Sequence, residues 1–211
     1  MGIRMKKSLE RIRRYFDRQE KLREKALDLS RRVIRASARA IAAMHRGDQV
    51  VTKNMLEDAK AGLSGLEKTL EQDPVWMHSG TVLAAQQEYC EAKLFEGFIR
   101  QGRLLTPDEL KIPYQPYLSA LTDAVGELRR RVLDLIRANK IAEAERVLKA
   151  MEDIHEILMS FDYADAILPG MKRKQDVVRG VLEKTRGDLT MALRQQRLEQ
   201  ALERLKRRRF E

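Results

Sequence analysis

Cysteine is almost absent from this chain. Its 211 residues include one cysteine, Cys90, so no disulfide can form within the chain. A single free thiol is typical of proteins in a reducing compartment, and we therefore expect a cytoplasmic location. The basic N-terminus has no apolar run of the kind found in signal peptides. No stretch approaches the roughly 18 apolar residues that a membrane-spanning helix needs, so no membrane association is expected.

Aromatic residues, proline and glycine are also scarce. Aromatics make up 5% of the chain, which argues against a protein that binds single strands by stacking bases on a platform of rings. With 5 prolines and 11 glycines, there is little material for many tight turns. Apolar residues reach 43% and charged residues 35%, a combination too apolar for disorder and typical of long helices with solvated faces.

Positive charge is concentrated at the two ends of the chain. The net charge is +10, of which residues 1–46 carry +10, residues 47–170 carry −7 and residues 171–211 carry +7. Basic ends suit a polyanion such as nucleic acid, although lysine and arginine also simply solvate long helices. The candidates for contact with the phosphate backbone are Arg13, Arg14, Lys172, Arg173, Lys174 and Arg179.

Apolar residues recur at steps of three and four along nearly the whole chain. This spacing predicts helices at about 8–45, 50–72, 75–101, 117–138, 140–163 and 171–209, the last with a hinge near Gly180 or Gly187. The connector Leu104–Pro116 contains three prolines, and Thr106 to Glu109 could start a short turn. No run alternates strictly enough for a sheet. The expected fold class is all-α, a single-domain bundle of about six or seven long helices over residues 1–211.

Two pairs of acidic residues interrupt the apolar stripes of the predicted third and fourth helices. Glu88 and Glu91 are three residues apart, and Asp123 and Glu127 are four apart, so each pair occupies one helical face. Carboxylates within apolar stripes are costly unless something compensates their charge. Because only a short connector separates these helices, we expect them to pack antiparallel, which would let the pairs face each other. Cys90, between the two glutamates, is expected to be a buried apolar group rather than a nucleophile.

Two interpretations of these acids remain open from spacing alone. They could form ordinary salt bridges to Lys93 or to the basic run at 129–131. Alternatively, they could share a divalent cation, and ligands that are all oxygen favour Mg²⁺, with Mn²⁺ as a substitute, over zinc or iron. A carboxylate-bound metal beside a basic surface is typical of phosphodiester cleavage.

The segments that contain the acids resemble one known family. QEYCEAKLFEGFI at Gln87–Ile99 resembles the QEYxEAxxFxxFI segment of translin-associated factor X (Trax), and YLSALTDAVGEL at 117–128 resembles that family's YLxGxxDxxGEL segment. The two segments occur in the family's order. The connector between them is shorter than in eukaryotic members, which indicates a prokaryotic, archaeal-type relative.

The resemblance implies a translin-like helical fold and a Mg²⁺-dependent endoribonuclease that cleaves RNA inside a closed, barrel-like oligomer. It places the catalytic and metal-binding acids at Glu88, Glu91, Asp123 and Glu127. The short connector suggests a homo-oligomer, an octameric barrel being one form, and questions the need for a separate translin chain. Neither the strandedness of the RNA nor the number of subunits follows from the sequence.

Two other functions compete with this interpretation. One is a translin-like protein that binds RNA or DNA without cleaving it, which the basic ends would also suit. The other is an all-α nucleoside triphosphate pyrophosphatase, but its ExxE and ExxD pairs match poorly, since the second pair here is spaced Asp-x-x-x-Glu.

Overall fold

Every regular element in the part of the chain that the structure describes is an α-helix. The structure is a computed structural model, and it describes residues 2–71 and 73–210. The helices are α1 (Gly2–Arg46), α2 (Gln49–Leu70), α3 (Pro74–Met77), α4 (Gly80–Gln101), α5 (Pro107–Leu110), α6 (Tyr114–Arg137), α7 (Ile141–Met159) and α8 (Met171–Phe210). The all-α prediction is confirmed, and the six long helices agree with the expected number. None of the described helices is long and apolar enough to cross a membrane.

The predicted third helix is wrong in one respect, because it is divided into α3 and α4. Ser79 has an extended backbone (φ −68°, ψ 148°) and occupies the N-cap position of α4, so the chain cannot continue helically from Met77 into Gly80. The apolar spacing continues across the break, which explains why the sequence pattern did not reveal it. In α8 the predicted hinge is absent, since the helix passes through Gly180 and Gly187 without interruption.

The boundaries of the remaining helices follow local chemistry. Gly47 ends α1 with a left-handed backbone (φ 73°), and the Asp48 side chain caps α2 by accepting the Val51 N–H at 3.0 Å. The predicted turn at Thr106 is confirmed as α5, where Thr106 and Glu109 form a reciprocal capping box.

The chain forms two compact units, Met1–Tyr117 and Leu118–Glu211, and their boundary falls inside α6. In the first unit, α1 packs along α2 and α4. Its core includes Val33, Leu66 and Phe95, all at most 1% exposed. The α1 and α2 backbones approach closely at Gly62, where an added Cβ would lie 2.6 Å from Val33 Cγ2.

A small group of hydrogen bonds connects the segment between α2 and α4 to α1 within the first unit. Asp73 accepts hydrogen bonds from Arg18 Nη2 at 2.9 Å and from Gln19 Nε2 at 3.1 Å. The same Gln19 accepts the Trp76 indole N–H at 2.6 Å through its Oε1. Trp76 therefore anchors α3 to α1.

In the second unit, α7 packs against α8 around buried apolar residues that include Met151, Ile154 and Leu158. The amide of Gln175 donates to the carbonyl oxygens of Leu158 at 2.7 Å and Phe161 at 3.1 Å. These bonds join the last turn of α7 and the segment that follows it to the first turn of α8, and Leu158 O also accepts the Phe161 N–H at 3.1 Å.

Candidate functional site

The first acidic pair lies in the middle of α4, in the first unit. Glu88 is half-buried, and Glu91 is only 9% exposed. Between them, Tyr89 and Cys90 are both buried. Burial, and secondly the charge of Glu91, raises the pKa of the Cys90 thiol to about 12. The thiol is therefore protonated at neutral pH, which agrees with the expectation of a small buried group rather than a nucleophile.

The second pair lies on α6, in the second unit. Asp123 and Glu127 are both half-buried, and the residues between and beside them, Ala124, Val125 and Leu128, are at most 1% exposed. Both pairs therefore lie within or at the edge of the apolar faces that the sequence predicted. Each of the four acids makes polar or electrostatic interactions within the structure, as the cost of burying a carboxylate requires.

One cation of the second unit, Lys174, is affected by the charge of Asp123. Lys174, in the first turn of α8, is half-buried. Burial lowers the pKa of its ammonium group below the ordinary value, whereas the negative charge of Asp123 acts in the opposite direction. The sequence placed Lys174 in a basic cluster and gave no sign that it differs from its neighbours.

Two of the cations proposed for simple salt bridges to the acids have other partners. Lys93 pairs with Glu96. Arg129 donates from Nη1 to Thr185 Oγ1 at 2.9 Å and from Nη2 to Asp188 Oδ2 at 2.8 Å, which ties α6 to α8. Lys93 and Arg129 therefore have polar partners other than the four acids.

The donor atoms of each pair determine which divalent metal would fit. Both pairs supply carboxylate oxygens only, which suits Mg²⁺ or Mn²⁺. In residues 2–71 and 73–210, no three or more His, Cys, Asp or Glu side chains are grouped so that they could hold one ion. Each pair by itself thus offers two ligands of the right type.

The six cations predicted to contact RNA phosphates occupy different environments. Arg13 and Arg173 are exposed. Three others take part in exposed ion pairs, Arg14 with Glu10 at 3.8 Å, Lys172 with Asp162 at 3.3 Å and Arg179 with Asp176 at 2.7 Å. Exposed pairs of this kind contribute little to stability, so these side chains can exchange their partners for phosphate. Lys174 alone among the six is half-buried.

Comparison with known proteins identifies the family. The model of the translin family matches residues 21–186, which span parts of both compact units. The chain belongs to the translin family. The matched region contains all four acids and the basic cluster at the start of α8, but it excludes Arg13 and Arg14. The predicted resemblance is therefore confirmed at the level of the family.

Individual proteins also match over most of the chain. An uncharacterized protein of the archaeon Methanocaldococcus jannaschii is 34% identical over 193 residues, or 90% of this chain and 85% of that protein. The structure of AfC3PO in a complex with duplex RNA is 31% identical, with a TM-score of 0.80 over 88% of this chain and 96% of that one. Apo-NeC3PO has the same TM-score at 20% identity over 87% and 96% of the two chains, which supports the fold alone.

Proposed function

We propose that this translin-family protein is a metal-dependent endoribonuclease in which Glu88, Glu91, Asp123 and Glu127 bind Mg²⁺. The observation that carries the proposal is the placement of two carboxylate pairs, each on one face of a continuous helix, with Glu91 only 9% exposed. Each pair supplies two carboxylate ligands of the type that Mg²⁺ prefers. The similarity to AfC3PO, solved with duplex RNA, supports RNA as the substrate.

The acids would bind the metal, and the basic residues would bind the RNA. When bound, Mg²⁺ or Mn²⁺ would activate a water molecule and offset negative charge on the attacked phosphate. The carboxylates would orient that ion, and the half-buried setting of Asp123 and Glu127 would limit the water around it. Exposed cations on α1 and α8 would hold the RNA backbone, giving binding that weakens with salt and tolerates changes of base sequence.

Self-assembly is part of the proposal. Apolar side chains at helical spacing are solvent-exposed near the start of α1, where Leu9, Ile12 and Phe16 are between 50% and 63% exposed. A second stripe, Leu198, Leu202 and Leu205 near the end of α8, is between 49% and 63% exposed. Exposed stripes of this kind favour association between copies. We therefore propose a closed homo-oligomer without a separate translin chain, which light scattering of the purified protein would test.

The test of cleavage uses the full-length protein with labelled RNA, single-stranded and duplex, in Mg²⁺ or EDTA. We expect cleavage in Mg²⁺ that is lost in EDTA. Glu91→Gln and Asp123→Asn should each lower the rate by about 10²-fold or more, since even residues behind metal ligands contribute 10- to 100-fold. Glu57→Gln is the matched control, because Glu57 is an exposed glutamate on α2 that pairs with Lys53. Cleavage that persists in EDTA or in both site variants would refute the proposal.

The second candidate is a translin-like protein that binds nucleic acid without cleaving it. The exposed cations of α1 and α8 suit this function equally well. Tight, salt-sensitive RNA binding by the wild type, with no metal-dependent cleavage of either RNA form, would favour it over the first candidate.

A further inference from the structure

The first third of α1 is not buried by the rest of the described chain. With 45 residues α1 is about 68 Å long, whereas α2, which packs along it, has 22 residues and is about 33 Å long. Residues 4–18 are exposed except for Ser8, and Ala26 is the first buried residue of the helix within the described part. An amphipathic helical segment of this length is only marginally stable in water unless another surface covers its apolar side.

This segment carries a narrow apolar stripe. Met5, Leu9, Ile12 and Phe16 follow one another at alternating steps of four and three residues, and they are between 50% and 63% exposed. The same alternation, continued along α1, leads to residues that are at most 2% exposed, namely Ala26, Ser30, Val33, Ser37 and Ala40. The exposed stripe therefore extends the heptad pattern that α1 already uses to pack against other helices of its own chain.

A helix is the partner that fits a stripe of this width. A helix that lies on a membrane surface presents apolar residues over a broad face, whereas a stripe of about two positions in seven is typical of a seam between helices. RNA would bind the cations of the segment, such as Arg13 and Arg14, and would leave the apolar side chains in water.

The end of α8 has an exposed stripe of the same type. Leu198, Leu202 and Leu205 are between 49% and 63% exposed, and they are also separated by steps of four and three residues. They follow Leu189, which is 2% exposed and is the last buried residue of α8 in the described part of the chain. Each end of the chain thus has a helical segment whose apolar stripe no described residue covers.

The charges beside the two stripes favour contact between unlike segments. The α1 stripe is flanked by the exposed cations Lys6 and Arg13, which would face like charges if two α1 segments packed antiparallel. The α8 stripe is flanked by one exposed cation, Lys206, and by one exposed acid, Glu199, which provides an opposite charge for the α1 cations. A contact between unlike surfaces is heterologous, and contacts of this kind can close into a ring.

We propose that the apolar stripe of α1 packs against the leucine stripe at the end of α8 in a second copy of this chain. The proposal rests on the self-assembly proposed above and identifies the two surfaces that form the contact. Each copy in a closed ring would then bury both of its stripes. The cations of α1 from one copy and of α8 from the next would lie side by side, so RNA would bind across both copies.

Chemical cross-linking of full-length variants tests this pairing. Ile12→Cys and Leu202→Cys place a thiol in the middle of each stripe, so the two thiols would be close in either relative direction of the helices. One variant carries a tag that changes its size, and the mixture is treated with a bismaleimide that spans the roughly 8–10 Å between packed helix axes. We expect a product of mixed size from the mixture and little product from either variant alone.

Two controls accompany the cross-linking. The native Cys90 is fully buried, and the wild type shows how much product this thiol forms. Val177→Cys places a thiol on α8 at a residue that is 57% exposed and lies outside the leucine stripe. Mixed with Ile12→Cys, it should give no more product than the wild type.

Sedimentation equilibrium measures what each stripe contributes to association. Leu9→Asp and Leu202→Asp should each raise the dissociation constant by about 10²-fold or more, because each places a charge in the centre of a buried contact. Val177→Asp is the matched control and should associate like the wild type. Since all three side chains are exposed in the single chain, the substitutions remove no contact from its core.

The outcomes separate this inference from the functions proposed above. Cross-linking only between identical variants, or none in a wild-type oligomer, would overturn the pairing of α1 with α8 and leave self-assembly intact. Wild-type association of Leu9→Asp and Leu202→Asp would overturn it as well. A wild type that stays a single chain would overturn self-assembly itself, and if it binds anionic vesicles through Leu9, the α1 stripe contacts a membrane surface instead. RNA cleavage is measured independently of all these results.

Discussion

Replacement of Gly62 by alanine should destabilise the protein, although alanine is the better helix former. In an unobstructed helix interior, Gly→Ala gains roughly 0.5–1 kcal/mol. At Gly62 the new Cβ would lie 2.6 Å from Val33 Cγ2, about 1 Å inside the normal distance between carbon atoms. Val33 is fully buried and β-branched, so its side chain cannot rotate away easily.

The expected magnitude follows from these two opposing effects. Overpacking of a well-packed core costs about 1–3 kcal/mol, which exceeds the gain in helix propensity. We therefore expect a net loss of about 1–2 kcal/mol for Gly62→Ala. Gly65→Ala is the matched control on the same helix, because its Cβ would lie 3.4 Å from the flexible end of Leu29, an ordinary contact. That variant should be as stable as the wild type or gain up to about 1 kcal/mol.

Thermal unfolding followed by circular dichroism would measure the difference. A separation of 1–3 kcal/mol between the two variants corresponds to about 2–12 °C for a chain of this size. All samples should have the same protein concentration, because association between copies makes the midpoint depend on concentration. If Gly62→Ala unfolds at or above the temperature of Gly65→Ala, the close approach of α1 and α2 is refuted.

Three further predictions concern individual contacts. A double-mutant cycle with Arg129→Met and Asp188→Asn should give a coupling energy of about 0.5–1 kcal/mol in denaturant unfolding, because this ion pair is only partly exposed. If the effects of the two substitutions are additive, the contact is contradicted. Asp48→Ala should lower the unfolding free energy by about 1 kcal/mol through loss of the α2 cap, and Asp48→Asn should retain most of it. Burial and the charge of Glu91 raise the pKa of the Cys90 thiol from its ordinary value of 9 to about 12. The contribution of this thiol to folding stability is therefore complete below pH 9, and it is lost as the pH rises from 9 to 12. Ellman's reagent at pH 8 should therefore modify native Cys90 far more slowly than the unfolded chain, and equal rates would disprove its burial.

Much of the fold was predictable because the relevant signals are local. The apolar period indicated the long helices, and Thr106 marked the short helix α5. The break at Ser79 was missed, since the apolar pattern continues across it and the extended backbone of that residue leaves no distinct composition. The hinge expected at Gly180 was wrong because hydrogen bonds within α8 outweigh the conformational freedom of an isolated glycine.

The sequence by itself determined the helical class, the family and the identity of the four acids, because each depends on residue type and spacing along one chain. Only the tertiary structure distinguished between side chains that look alike in sequence. Lys172 and Lys174 are two residues apart in one basic run, yet one pairs with Asp162 at the surface and the other lies half-buried beside the charge of Asp123. That difference arises from which face of α8 packs inward, which depends on the tertiary structure. The role of the four acids is therefore a prediction from residue type and spacing, whereas the half-buried position of Lys174 could be found only from the fold.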